Sequence, residues 1–216
     1  MHKKQLTIIL TAITLLATCH IKAQEIEKLF NGKDLSNWNF VLENDNAKPE
    51  NVFFVQDGLI NITGDPIGYM YTKDKYSNFH LHVEWRWPNG VESNSGIFLL
   101  IEDPANPFPR GIECQLKAGI AGDLVLLNGS NLAEYKVPAG QERPRFPVVK
   151  KLKDSSERPA SQWNEANIYC RDGIITVYIN GAYQNKGTNT AKEGYIGLQS
   201  EGKNIQFRNV TLTPLP

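Results

Sequence analysis

Hydrophobic and polar residues alternate strictly through residues 79–87, which read Phe-His-Leu-His-Val-Glu-Trp-Arg-Trp. Successive side chains of a β-strand point to opposite faces, so this pattern predicts a strand that is buried on one side. The other side would carry four polar residues, His80, His82, Glu84 and Arg86. A solvated face with a Glu–Arg ion pair explains this strand as well as a functional face does. Similar polar faces on other segments favour the functional interpretation.

The same period-two pattern predicts further strands at 52–56, 59–63, 69–72, 95–101, 111–117, 123–127, 167–171, 174–179, 195–199 and 205–212. Short turn sequences separate several of them, namely Asp57-Gly58, Asp172-Gly173 and Asn180-Gly181, which favour tight hairpins. Because helical periodicity is almost absent, we expect an all-β protein, an antiparallel β-sandwich. Residues 132–162 are rich in Pro, Lys, Arg and Glu and are expected to form a long loop over one end or rim of the sandwich.

The first 23 residues predict an export signal. Lys3 and Lys4 precede an apolar run at 6–17, which is too short to cross a bilayer but suits a signal sequence. Cleavage after Ala23 would leave 24–216 as a single domain, and we expect this protein to be periplasmic. The alternative is an outer-membrane lipoprotein with its lipid anchor on Cys19, because Leu16-Ala17-Thr18-Cys19 resembles a bacterial lipobox. The remaining sequence has no apolar run long enough for a membrane helix.

Charge and cysteine content narrow the classes of partner. The whole chain has 23 basic and 23 acidic residues, and removal of residues 1–23 takes away three lysines and no acid. The mature chain is therefore slightly acidic, and we expect no nucleic-acid partner. Cys114 and Cys170 each alternate with polar neighbours in a predicted strand. This favours buried free thiols, and a single disulfide is the alternative.

Short motifs follow one another in order through residues 29–212: LFNGKDLSNW from 29, EWR from 84, NSGIF from 94, GIECQ from 111, WN from 163, NG from 180, GYIGLQ from 194 and FRNV from 207. This ordered series resembles the bacterial 3-keto-disaccharide hydrolase family, whose members are also described as 3-keto-glucoside lyases and hydratases. The resemblance implies a concanavalin A-like jelly roll, in agreement with the strand pattern. It also implies an enzyme that cleaves 3-keto-glycosides, with a small glycoside or oligosaccharide as substrate.

The chemistry that this resemblance implies makes definite demands on the site. A 3-keto group acidifies the hydrogen on C2 of the sugar, so a base can remove it while the C1 oxygen leaves by elimination or hydrolysis. The enzyme needs that base, an acid at the glycosidic oxygen and donors for the developing enolate. Glu84 and Glu113 are the expected acid–base pair, facing one cleft. The expected substrate contacts are Arg86, Asn94, Gln115, Lys117, Trp163, Gln199, Glu201 and Arg208.

Two positions depart from the pattern of the family. Ser200-Glu201 stands where many members carry Asp-His, so Glu201 would have to replace the histidine in any acid–base role. Gln115-Leu116-Lys117 replaces a more usual apolar-Asp ending and brings Lys117 to the face of Glu113.

Other kinds of site have weaker support. His80 and His82 have a spacing that can bind a divalent metal, but exposed histidines are the simpler interpretation. We therefore predict no metal ligands and no cofactor, and a divalent metal is the alternative. The sequence has no Gly-x-Ser-x-Gly motif, no glycine-rich phosphate loop and no Asp-rich calcium loop. A non-catalytic carbohydrate-binding module on the same fold is the main alternative function. A structural or adhesive surface domain is a third. The combination of Glu84, Arg86, Glu113 and Gln115 favours the enzyme over both.

Overall fold

The structure is a computed structural model that describes residues 25–216; the expected signal segment and Cys19 lie outside the described residues. Its strands are β1 Glu27–Lys28, β2 Trp38–Leu42, β3 Phe53–Gln56, β4 Leu59–Ile62, β5 Gly68–Thr72, β6 Phe79–Arg86, β7 Gly96–Asp103, β8 Arg110–Gln115, β9 Leu124–Leu127, β10 Val148–Val149, β11 Asn164–Arg171, β12 Ile174–Ile179, β13 Ala182–Thr188, β14 Tyr195–Ser200 and β15 Ile205–Pro214. A short helix, α1, covers Pro49–Val52, and a 3₁₀ turn covers Pro88–Gly90. The described part of the chain contains no helix long and apolar enough to cross a membrane.

The strands form two antiparallel sheets. Sheet I has the order β13-β12-β11-β6-β15-β4-β3, with β1 paired to β15. Sheet II has the order β10-β9-β8-β7-β14-β5-β2. The apolar residues of each alternating strand pack between the sheets, which confirms the predicted two-sheet jelly roll.

The core contains the side chains that the alternation assigns to it. Trp85 from sheet I and Ile97 from sheet II belong to one buried cluster. Cys114 and Cys170 lie in the same cluster as free thiols, so the structure has no disulfide between them. Burying an apolar side chain such as that of Ile97 is worth about 1.5–3 kcal/mol. The core between the two sheets therefore supplies much of the stability that holds the two outward faces in place.

Tight hairpins join neighbouring strands where the sequence predicts them. Asp57-Gly58, Asp172-Gly173 and Asn180-Gly181 all have positive φ angles at both residues. A type I′ turn needs positive φ at two consecutive positions, which Asp-Gly and Asn-Gly tolerate well. The hairpin between β12 and β13 therefore fixes the register of one edge of sheet I.

Sequence periodicity missed several strands, of which β13 is the longest. Its residues Gln184 and Asn185 are polar yet buried, so the alternation of apolar residues is lost. Gln184 donates to Ser156 Oγ at 2.9 Å, and Asn185 donates to the carbonyl oxygens of Gly122 and Val149 at 3.0 and 2.8 Å. Side-chain hydrogen bonds to loops thus replace apolar packing along this edge strand.

The predicted loop at 132–162 connects the two sheets along one side of the sandwich. Apart from β10, it has no regular structure. Its start bridges to the residue that follows β13, through Leu132 and Asn189, and β10 adds to the edge of sheet II beside β9. The loop therefore covers the side where β13 and β10 form the edges, as expected for a rim.

Candidate functional site

Glu84 and Glu113 lie on different sheets. Glu84 belongs to β6 in sheet I, and its neighbour Val83 points into the core. Glu113 belongs to β8 in sheet II, and its neighbour Cys114 points into the core. The two carboxylates therefore face opposite sides of the sandwich, and the expectation that they share one cleft is wrong. Alternation assigned each residue to an outward face, but it does not identify the sheet to which that face belongs.

Three partners occupy the carboxylate of Glu84. Arg208 Nε donates to Oε2 at 2.7 Å, Asn209 Nδ2 donates to Oε1 at 2.6 Å, and His82 Nε2 lies 3.5 Å from Oε1. Burial by itself would raise the pKa of Glu84, but the hydrogen bonds from Asn209 and Arg208 and the charge of Arg208 outweigh it and hold the pKa below its usual range. A carboxylate held ionised by a guanidinium is a weak base and is well suited to cross-link β6 and β15.

Arg86 and Trp163 belong to the same surface. Arg86 Nε donates to Gln206 Oε1 at 2.8 Å and does not pair with Glu84, contrary to expectation. The guanidinium carbons of Arg86 and Arg208 lie 4.7 and 4.0 Å from the centroid of the Trp163 ring. These cation–π contacts use the ring surface that was expected to stack on a sugar.

The two histidines of β6 share one partner, Asn167. His80 Nε2 and His82 Nδ1 lie 2.9 and 3.1 Å from Asn167 Oδ1. Among residues 25–216, no three His, Cys, Asp or Glu side chains converge as a set of metal ligands. The structure therefore gives these histidines a hydrogen-bonding role between β6 and β11.

Glu113 is a buried carboxyl group on the outward face of sheet II. Only 3% of the residue is exposed. Its cross-strand neighbours are Phe98 on β7 and Val125 on β9, both of which belong to an apolar cluster on this face. The carboxyl group extends over Gly96, whose missing side chain leaves the space that it fills. The apolar side chains on the neighbouring strands, and the space left by the glycine, thus allow the carboxyl group of Glu113 to be shielded from water.

This environment changes the acidity of Glu113. Burial, and secondarily the negative charge of Glu201, raise its pKa from 4.5 to about 8. Its Oε1 atom is buried with no hydrogen-bond partner among the described residues. A carboxyl group whose pKa lies near neutrality can both release and accept a proton at physiological pH, as acid–base catalysis requires.

Three further residues bring polar atoms to the same face. Gln199, on β14, is fully buried and donates from Nε2 to Glu201 Oε2 at 2.7 Å. The backbone of Glu201 bridges to Asn94, just before β7. Asn94 Oδ1 and Gln199 Oε1 are buried acceptors with no partner in the described part of the chain. Buried acceptors without donors are costly, so this cluster suits a ligand that supplies O–H groups.

Gln115 and Lys117, predicted as substrate contacts on the same strand, behave differently. Gln115 Oε1 accepts hydrogen bonds from the backbone N–H groups of Leu116 and Lys117, at 3.0 and 2.8 Å. Gln115 therefore shapes the turn after β8. Lys117 is exposed in that turn.

The predicted site thus separates into two groups. Asn94, Glu113, Gln115, Lys117, Gln199 and Glu201 lie on the side of sheet II, whereas Glu84, Arg86, Trp163 and Arg208 lie on the side of sheet I. Sequence reasoning missed Gly96, although the NSGIF motif and the alternation of β7 place it on the outward face. It also missed Phe108 and Phe146, loop residues that pack on the apolar cluster beside Glu113 and carry no periodic signal.

Comparison with known proteins agrees with this architecture. A 3-keto-disaccharide hydrolase of Bacteroides thetaiotaomicron is 21% identical in an alignment 229 positions long that covers 87% of this chain and 77% of the relative. A solved structure from Parabacteroides distasonis ATCC 8503, provisionally named a glycosyl hydrolase, has a TM-score of 0.64 at 22% identity and covers 88% of this chain and 100% of its own. The carbohydrate-binding module CBM66 of Bacillus subtilis has a TM-score of 0.56 at 11% identity, with 82% and 95% covered.

These solved structures share the fold, and the family itself is defined by sequence. The family model described as the 3-keto-alpha-glucoside-1,2-lyase-like domain matches residues 25–213. That match spans almost all of the described chain and includes the β-strands on both sides of the sandwich. The protein therefore belongs to the 3-keto-alpha-glucoside-1,2-lyase-like domain family.

Proposed function

We propose that this carbohydrate-active protein is an enzyme that cleaves 3-keto-glycosides on the outward face of sheet II, with Glu113 as the acid–base residue. The observation that carries the proposal is the buried carboxyl of Glu113, whose pKa is raised to about 8 beside unpaired acceptors. Family membership and the 3-keto-disaccharide hydrolase of B. thetaiotaomicron support the substrate class.

The first chemical step is removal of the C2 proton by the carboxylate form of Glu113, and the ketone at C3 takes up the electron pair as an enolate. When the enolate collapses, the C3 ketone re-forms, a double bond forms between C1 and C2, and the bond between C1 and the glycosidic oxygen breaks. The leaving oxygen takes up the proton that Glu113 had removed. A base with a pKa near 8 is stronger than an ordinary carboxylate and is still partly ionised near neutral pH. Water added to the product double bond would complete hydrolysis.

The neighbouring groups hold the sugar and tune the base. The acceptor atoms Asn94 Oδ1 and Gln199 Oε1 match the hydroxyl hydrogens of a sugar ring. Glu201, fixed by its hydrogen bond from Gln199, keeps a negative charge near Glu113 and so favours its protonated form before substrate binds. In this scheme Glu201 is a positioning residue that acts through Glu113.

Incubation of the purified protein with 3-keto-glucosides and with their unoxidised parent glucosides tests the proposal. We expect turnover of the ketone forms only, because the parent sugars lack the acidic C2 hydrogen. Glu113→Gln keeps the size of the side chain but cannot abstract a proton, and should lower kcat by on the order of a hundred- to ten-thousand-fold. Full turnover by Glu113→Gln would eliminate Glu113 as the base.

A carbohydrate-binding module is the second candidate function. The likeness to the B. subtilis module CBM66 supports it at the level of fold. Binding of both the 3-keto-glucosides and their parents, with cleavage of neither, would establish this alternative. The buried carboxyl of Glu113 favours the enzyme, because a binding surface gains nothing from the cost of burying an ionisable group.

We further propose that the protein acts outside the cytoplasm. The proposal comes from the sequence of residues 1–23, with its basic start and short apolar run. N-terminal sequencing of protein recovered from the periplasm should begin at Gln24. A mature chain that begins at Cys19 and carries lipid would instead establish the lipoprotein alternative.

A further inference from the structure

A groove lies on the outward face of sheet I, on the opposite side of the sandwich from Glu113. It is lined by Asn167, Tyr169, Tyr178 and Gly181, which we call the tyrosine groove, and has a volume of about 360 Å³. This volume falls within the roughly 300–1,000 Å³ that is usual for small-molecule sites. None of the residues proposed for catalysis lines it. The proposed reaction therefore leaves this groove without a role.

Aromatic rings form a continuous row along the groove. His80 stacks on Tyr169 with ring centroids 4.3 Å apart and planes inclined by 7°. Tyr169 meets Tyr178 edge to face at 6.0 Å, and Tyr178 contacts Tyr183 at 5.6 Å. Tyr169 nevertheless remains 39% exposed. Ring-to-ring contacts fix the orientation of each side chain, so the aromatic walls are formed before any ligand arrives.

The amide of Asn167 gives the groove a polar group of fixed orientation. Asn167 pairs with Tyr178 on β12 and with His82 on β6. Its Oδ1 atom lies 2.9 Å from His80 Nε2 and 3.1 Å from His82 Nδ1. These contacts hold the amide in place at the groove, which Asn167 lines. A hydrogen-bonding amide thus lines the same groove as Tyr169 and Tyr178.

We propose that the tyrosine groove binds a neutral hexose unit of a glycan, as a non-catalytic site separate from the Glu113 site. The C–H face of a hexose packs on an aromatic ring, and its hydroxyl oxygens accept hydrogen bonds from an amide. The described residues that line the groove include no charged side chain, which disfavours an ionic ligand. A protein partner would need roughly 800 Å² of surface on each side, far more than four residues offer.

The chemistry of the groove suggests a use in holding a long substrate. A glycan bound on sheet I stays near the protein. The outward face of sheet II can then act on 3-keto sugars that are attached to that glycan or have been released from it. Linking two weak sites in this way raises the effective concentration of substrate without new contacts at the catalytic residues.

Native gel electrophoresis in gels that contain hydroxyethylcellulose, laminarin or dextran tests the proposal. We expect at least one of these neutral glucans to retard the wild-type protein. Asn167→Asp keeps an oxygen for both histidines but removes the Nδ2 donors and adds a charge. The apparent affinity for the glucan, obtained from retardation at several glucan concentrations, should therefore fall by about tenfold or more. Tyr178→Ala should have a similar effect, and Tyr178→Phe, which keeps the ring, should bind like the wild type.

Two controls separate this site from the catalytic proposal. Glu113→Gln should be retarded as strongly as the wild type, and Asn167→Asp should keep wild-type kcat/KM on a small 3-keto-glucoside. Circular dichroism and Tm establish that each variant is folded. The proposal is overturned if none of the three glucans retards the wild type, or if folded Asn167→Asp and Tyr178→Ala bind normally. Loss of retardation in Glu113→Gln would also overturn it, because binding would then depend on sheet II.

Discussion

The carboxyl group of Glu113 occupies the space that a side chain at Gly96 would fill. A Cβ atom added to Gly96 would lie 2.7 Å from Cγ and 2.8 Å from Cδ of Glu113. Nonbonded carbon atoms prefer about 3.5–4.0 Å, so both groups cannot be present without movement. The carboxyl group of Glu113 on β8 can therefore lie buried over sheet II because residue 96 on β7 is a glycine.

This relationship predicts the effect of Gly96→Ala. The added methyl group should displace the Glu113 carboxyl and lower the free energy of unfolding by about 1–3 kcal/mol, as overpacking commonly does. Urea denaturation measures this loss. In a Glu113→Ala background the contact is gone, so the same substitution should cost at least about 0.5 kcal/mol less. Equal losses in the two backgrounds would contradict the contact.

The buried carboxyl also predicts how stability depends on pH. The pKa of Glu113 is raised to about 8 in the folded protein, against a reference value of 4.5. Between these values the folded state binds more protons than the unfolded state, so the free energy of unfolding falls as pH rises. The contribution is complete below about pH 4.5 and is lost through pH 8, with a slope of at most about 1.4 kcal/mol per pH unit.

Denaturation of the wild type and of Glu113→Gln across this pH range measures that contribution. Glu113→Gln cannot titrate at this position, so the difference in free energy of unfolding between the two proteins should change steadily from pH 5 to pH 8.5. A difference that does not depend on pH would mean that Glu113 is ordinarily acidic in the folded state, and the proposed base would lose its support.

The negative charge of Glu201 near Glu113 leads to a prediction about the pH dependence of catalysis. Glu113 must be ionised to act as a base, so kcat/KM should rise with pH and level off above about 8. Glu201→Gln removes a negative charge that raises the pKa of Glu113 but can still accept the hydrogen bond from Gln199. The midpoint of the pH–rate profile should move to lower pH.

A matched control is available on the opposite face. Glu165 pairs with Glu84 between β11 and β6 in sheet I, so Glu165→Gln also removes one carboxylate. Its profile should stay at the wild-type midpoint. If both variants shift the midpoint equally, the effect reflects net charge, and the specific influence of Glu201 on Glu113 would be refuted.

Much of the fold could be predicted because it depends on local alternation. Trp85 and Val177 point into the core as their strand patterns require, and Asn180-Gly181 turns where its φ preferences allow. β13 could not be predicted in this way, because Gln184 is buried through hydrogen bonds to a distant loop. Such bonds depend on tertiary structure and leave no period in the sequence.

The candidate site was predictable by residue type but not by location. Glu84 and Glu113 look alike in sequence, each on the polar side of an alternating strand. Their environments differ because β6 pairs with β15, which brings Arg208 to Glu84, whereas β8 pairs with β7, which brings Gly96 and Phe98 near Glu113. Strand pairing over long sequence separations decides whether a carboxylate is ion-paired or desolvated, and periodicity alone does not encode that pairing.

The opposite placement of the two carboxylates predicts opposite effects when each is neutralised. Glu84→Gln leaves Arg208 without its ionised partner, and hydrogen bonds to charged groups contribute roughly 1.5–3 kcal/mol, so we expect a stability loss of about that size. Because Glu84 faces away from sheet II, kcat/KM on 3-keto-glucosides should be unchanged below the unfolding transition. Glu113→Gln should show the reverse pattern at pH 8, with activity lost and stability at or above that of the wild type, because the amide carries no charge that folding would bury. Tm and initial rates, measured in parallel on both variants, test this prediction. Loss of turnover in a folded Glu84→Gln variant would mean that Glu84 takes part in catalysis, and it would refute a catalytic site confined to sheet II.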